Sequence, residues 1–152
     1  MAFAGLRVVS LESRRAGKME ALILREGGVP FVAPSVREEV RDAKNTLALP
    51  ENQEPLREAA ERIANGGCDV VLFTSSVQLD HLLMVAASMG LEAEVRAALK
   101  KRLVVGSIGP VMNDALAAEG IAPDIVPRRP KMWALVKAAA EQAAAVMAVK
   151  AA

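Results

Sequence analysis

Hydroxyl-bearing, basic and small residues gather at four points of this 152-residue chain. They are Ser10 with Arg14 and Arg15, Thr74-Ser75-Ser76, Ser107 with Gly109, and Lys131 behind Arg128 and Arg129. What such residues can do together is grip an anion. Hydroxyls and backbone N–H groups at helix starts donate hydrogen bonds, and cations draw the ligand in over distance. Each also has a plainer use, the hydroxyls as helix caps and the cations as a solvated helix start. Other chemistries find little support. His81 is the sole histidine, so no histidine-based metal cluster can form, and a Ser-His-Asp set would have to pass through it with no signature around Ser75 or Ser76. Cys68 is the sole cysteine, which rules out a disulfide framework within the chain and suits a small apolar role ahead of a strand. Gly106-Ser107-Ile108-Gly109 is not a dinucleotide fingerprint, and no P-loop occurs.

The elements between these points have to bring them together. Val70–Phe73 is an unbroken apolar run between Gly66-Gly67 and Thr74-Ser75-Ser76, the pattern of a parallel strand buried on both faces. Behind it Val77, Leu79, Leu82, Leu83, Val85 and Ala86 recur at roughly helical spacing. Residues 1–35 read as a βαβ unit: a strand at Leu6–Ser10, a helix through Met19, Leu22 and Ile23 stopped by Gly27-Gly28, and a strand at Val29–Ala33. Residues 36–66 read as a charged surface connection over 36–52 and a helix through Leu56 and Ile63. Residues 67–152 supply the central strand, a helix at Glu92–Lys101, strands at Leu103–Ser107 and Asp124–Val126, a helix opened by Pro110, and a long Ala-rich helix from Lys131 to about Val149. The expectation is a single α/β domain with a doubly wound, five-stranded parallel sheet of order 2-1-3-4-5. Ligands of such sheets bind beyond the carboxyl ends of the strands, where the turns Ser10–Arg15, Thr74–Ser76, Ser107–Pro110 and Pro127–Lys131 should share one rim.

Composition narrows the partners. Lys and Arg number 19 against 18 Asp and Glu, and aromatics make up 3% with no Tyr, so neither a phosphate-binding charge excess nor base-stacking platforms support nucleic-acid binding. The Met1–Ser10 stretch lacks a secretory pattern, and no apolar run is expected to approach the ~20 residues of a membrane span. A cytoplasmic protein without membrane contact is expected.

In this order and with these gaps, several pieces resemble the uroporphyrinogen-III synthase family. They are Leu6–Ser10 with Gly28, Asp69–Ser75, Ile108-Gly109-Pro110 with Ala115-Leu116 and Gly120, and Asp124–Pro127 with Pro130-Lys131-Met132. The resemblance spans nearly the whole chain outside residues 36–66. It implies an enzyme of heme biosynthesis that cyclises the anionic linear tetrapyrrole hydroxymethylbilane with loss of water and inversion of the last pyrrole, without cofactor or metal. It further implies two such domains with the substrate between them. This chain resembles one of them, with the segment near Val36–Asn52 standing where the other is inserted. A homodimer, swapped or unswapped, is the expected remedy. Carboxylate binding would fall to Ser10, Arg14, Arg15, Thr74, Ser75, Ser76, Ser107, Gly109 and Lys131, while no catalytic residue is assigned. The family commonly uses a Tyr near the leaving hydroxyl and a Thr or Ser two residues after Gly-Pro. This chain has no Tyr, and has Met112 at the second position. A non-catalytic tetrapyrrole- or anion-binding module that retains the fold stands as the alternative, with a small-anion sensor a third reading.

Overall fold

A computed structural model describes residues 2–41 and 44–152. Met1 of the expected leaderless start and Asp42 of the charged connection lie outside the described residues. The strands are β1 (Arg7–Ser10), β2 (Val29–Val32), β3 (Arg37–Arg41), β4 (Lys44–Ala48), β5 (Val70–Phe73) and β6 (Val104–Ser107). The helices are α1 (Ala16–Arg25), α2 (Glu54–Asn65), α3 (Ser76–Ser88), α4 (Glu92–Lys101), α5 (Pro110–Ala118) and α6 (Met132–Ala151).

Strands β2-β1-β5-β6 form a parallel sheet, with Val9 beside Val71 and Val71 beside Val105. Every residue of β5 and β6 is buried, as the apolar run predicts. Alternation sends Val70 and Leu72 toward Met19 and Ile23 of α1 and Leu135 and Ala139 of α6. Val71 and Phe73 point the other way, into a layer with Leu56, Leu79, Leu99 and Leu116 of α2–α5. Gly106 lets α6 pack closely where it crosses the sheet: a Cβ there would stand 2.7 Å from Leu72 Cδ2 and 3.2 Å from Leu135 Cδ1, and both leucines would have to shift. Pro30 is tolerated in β2 because that strand is an edge: Val29 N–H donates inward to Leu6 carbonyl, so the next nitrogen, that of Pro30, falls on the outer side.

The expected fifth strand does not form: among the described residues the parallel sheet has four strands, and Asp124–Val126 contributes a single bridge between Ile125 and Gly106. Two local causes account for this. The Asp124 carboxylate accepts the Val105 N–H at 2.8 Å, doing with a side chain what a strand would do with a carbonyl. Ser107 N–H then donates to Ile125 carbonyl at 2.9 Å, and Pro127, two residues on, has no N–H to extend the ladder. Lys150 Nζ closes the arrangement, 2.7 Å from Asp124 and bonded to Leu103 carbonyl, pinning the end of α6.

The charged connection contains an antiparallel ribbon, β3 with β4, running from the pair Arg37–Ala48 to the pair Arg41–Lys44. Helix α6 is long and apolar enough to cross a membrane by length and composition alone, contrary to the expectation from the sequence; here one stripe of it packs on the sheet.

At the amino end of the sheet, Asp69 ties β5 to β1. Its carboxylate accepts Arg7 N–H at 2.8 Å, Arg7 Nε at 3.1 Å and Arg7 Nη2 at 3.0 Å. The hydrogen bond from the Arg7 side chain holds the Asp69 carboxyl below the usual carboxylate range, against a smaller opposing effect of burial. Because the folded value lies below the unfolded one, the contribution to stability is complete above about pH 4 and lost as pH falls through the lowered folded value. Thermal unfolding of wild type and Asp69→Asn between about pH 6 and pH 2 should show the gap between them closing toward acid. Parallel profiles would remove Asp69 as the cause.

Candidate functional site

The loop after β1 is held by its own hydroxyls. Ser10 is fully buried, and its Oγ accepts the Glu12 N–H at 3.2 Å. Ser13 Oγ accepts the N–H groups of Ser35 and Val36, each at 3.0 Å, while Ser35 Oγ donates to Leu11 carbonyl at 2.8 Å. His81 Nδ1 lies 2.6 Å from Ser35 carbonyl and must donate to it, since that oxygen can only accept. The exits of β1 and β2 and the first turns of α3 are thereby clipped together. His81 is a buried packing residue with no link to Ser75 or Ser76 among the described hydrogen bonds.

The turn after β5 adds a second network. Thr74 Oγ1 donates to Glu12 Oε2 at 2.5 Å and accepts from Gln78 Nε2 at 2.7 Å; Gln78 Oε1 accepts the Thr74 N–H at 2.9 Å, and Gln78 Nε2 reaches Glu12 Oε2 at 3.4 Å. Gln78 is 4% exposed. It braces the turn from inside, and Ser75, the residue at the helix boundary, makes no side-chain cap bond. Gln78 N–H donates to Ser75 carbonyl at 3.2 Å, and among the described hydrogen bonds the Ser75 hydroxyl and the Ser76 and Val77 amides remain available as donors.

These loops surround a cleft of about 670 Å³ at the carboxyl end of the sheet. All four anticipated turns contribute: Glu12–Arg15, Thr74 and Ser75, Ile108, and Pro130 to Met132. Of the residues expected to bind, Arg14, Arg15, Thr74, Ser75 and Lys131 line it. Ser10 and Ser107 do not, being fully buried; Ser107 Oγ donates to Gly109 carbonyl at 3.3 Å and shapes its turn. Ser76, the first residue of α3, and Gly109, just before α5, also stand outside the lining. Glu12 and Gln78 join the lining beyond the expected residues. The spacing Ser75-x-x-Gln78 is a capping-box signature that marks Gln78 as a residue turned back onto the turn.

Among the described residues no three His, Cys, Asp or Glu side chains assemble as a metal site would require. Burial pushes the Cys68 thiol up to about 12, so it is a thiol packed as an apolar group.

A four-stranded doubly wound sheet with a basic, hydroxyl-bearing cleft past its strand ends defines a small open-sheet α/β domain. Residues 45–137, more than half of the chain, match the family model described as Uroporphyrinogen-III synthase HemD, and the chain belongs to that family. A curated relative, the uncharacterized protein YjjA of Bacillus subtilis (strain 168), is 27% identical over 88 residues, covering 58% of this chain and 33% of that protein. The chain thus spans about a third of the length of the curated relative it matches. The crystal structure of uroporphyrinogen III synthase from the extremely thermophilic bacterium Thermus thermophilus (wild type, native, form-2 crystal) superposes with a TM-score of 0.78 at 13% identity, covering 95% of this chain and 100% of that one. At that identity the likeness is one of fold.

Proposed function

We propose that the cleft binds the linear tetrapyrrole hydroxymethylbilane and that the protein closes it into a ring as a uroporphyrinogen-III synthase-like lyase of heme biosynthesis. The observation that carries this reading is the convergence of Arg14, Arg15 and Lys131, with the Ser75 hydroxyl and the uncapped start of α3, on one cleft. The substrate has eight carboxylates to be held. Loss of its terminal hydroxyl as water leaves an azafulvene that is electrophilic on its own. The protein's share is to hold the chain so that the last pyrrole inverts before the carbon–carbon bond closes, a matter of orientation more than of acid or base strength. No metal or cofactor enters the scheme. One domain provides one wall, and a second copy facing it supplies the other, in a cytoplasmic homodimer.

A second reading, a tetrapyrrole- or anion-binding module without catalysis, is favoured by two observations. The chain has no Tyr, and Met112 is 2% exposed in the apolar core where a hydroxyl would be expected. A coupled assay that generates hydroxymethylbilane and resolves the type III from the type I product separates the two. Type III product above the spontaneous background is the expected result. Type I product alone, at the spontaneous rate, would remove the enzyme, and saturable binding of the bilane under those conditions would then support the module.

A further inference from the structure

We infer that Glu12 is the specificity-determining residue of the cleft, the acceptor that reads N–H donors on a ligand whose carboxylates the neighbouring cations hold. This deepens the tetrapyrrole reading and rests on it. Among the described residues Glu12 is the one carboxylate lining the cleft, whose other charged residues are Arg14, Arg15 and Lys131. For a ligand that offers only carboxylates it is a liability, because like charges repel most where water is partly excluded. Its described partners are neutral: the Thr74 hydroxyl, the Gln78 amide and, at 3.4 Å, the Arg15 backbone N–H. Thr74 and Gln78 both engage Oε2 and so fix the carboxylate in place. Among the described hydrogen bonds Oε1 has the single long contact to Arg15 N–H, although a carboxylate can accept about four hydrogen bonds in all. A bilane brings pyrrole N–H donors between carboxylate arms, which suits a pre-set acceptor among cations. A plain polycarboxylate brings none.

The test compares two probes by calorimetry on the full chain: a linear bilane octacarboxylate lacking the terminal hydroxyl, which cannot cyclise, and benzene hexacarboxylate, which has no N–H. Glu12→Gln keeps the size and still accepts from Thr74. It should lower bilane affinity about tenfold, the worth of one charge-assisted hydrogen bond, and leave hexacarboxylate affinity unchanged or raised. Glu12→Asp keeps the charge and shortens the reach to Thr74, and should preserve most of the preference for the bilane. A role confined to bracing Thr74 predicts the reverse, with Asp the more damaging change and both probes weakened together; that result would overturn the inference. Equal bilane binding by wild type and Glu12→Gln would overturn it while leaving the tetrapyrrole reading intact. No bilane binding by wild type would end both.

Discussion

Joint replacement of Arg15 and Lys131 by alanine should weaken binding of the non-cyclising bilane by about two orders of magnitude at low salt. Both residues line the cleft, one on the loop after β1 and one at the start of α6, so they can meet carboxylates on two sides of a ligand. Neither has an ion-pair partner among the described residues, so their charges are not already neutralised. A hydrogen bond to a charged group contributes about 1.5–3 kcal/mol, and two such losses near the lower figure amount to roughly a hundredfold in affinity. The difference between wild type and variant should shrink at about 0.5 M salt, where the screening length falls to a few ångströms. Arg128 and Arg129 provide the control: they lie just before Lys131 in sequence and stand outside the cleft lining. If Arg128→Ala with Arg129→Ala weakens binding as much, attraction comes from the general field of the region, and the cleft loses its claim.

Phe73→Ala should destabilise the fold by about 3–5 kcal/mol, the usual cost of emptying a fully buried aromatic site. Phe73 has no exposed surface and sits in the layer with Leu79, Leu82 and Met112. It ends the central strand, and its carbonyl accepts the Ile108 N–H at 3.1 Å, so the same residue joins the core to the cleft wall. For a domain of this size the melting temperature should drop by roughly 10 °C. Val29→Ala, at a position 54% exposed on the edge strand, should change stability by about 0.5 kcal/mol or less. Similar melting temperatures for the two variants would contradict the assignment of β5 as the centre of the sheet.

How far residues alone reveal the structure depends on whether the deciding interaction is local. Val70–Phe73 was readable as a buried parallel strand because both faces are covered and the run carries no polar break. The common rim followed from it, since parallel strands put all their carboxyl ends on one side. Asp124–Val126 looked like a strand for the same local reasons, yet the Asp124 side chain and Pro127 limit it to one bridge. The ribbon is not legible in the residues, because Arg37-Glu38-Glu39-Val40-Arg41 has no apolar alternation to announce a strand. At the cleft, cations and hydroxyls were legible by type, whereas the burial of Ser10 and Ser107 was not, because a hydroxyl next to a strand end can turn inward to serve the backbone. Glu12 carries no local signal, because its partners Thr74 and Gln78 stand more than sixty positions away in sequence.

The ribbon between β2 and α2 has a topological consequence. Since Arg37 is paired with Ala48, the polypeptide leaves and comes back at adjoining points. Whatever lies between those points makes no demand on the spacing of β2 and α2, so the domain can carry a long excursion there or a short one without disturbing its strand order. The same geometry makes this position a natural seam, where the gene could be opened for new termini or another module spliced in.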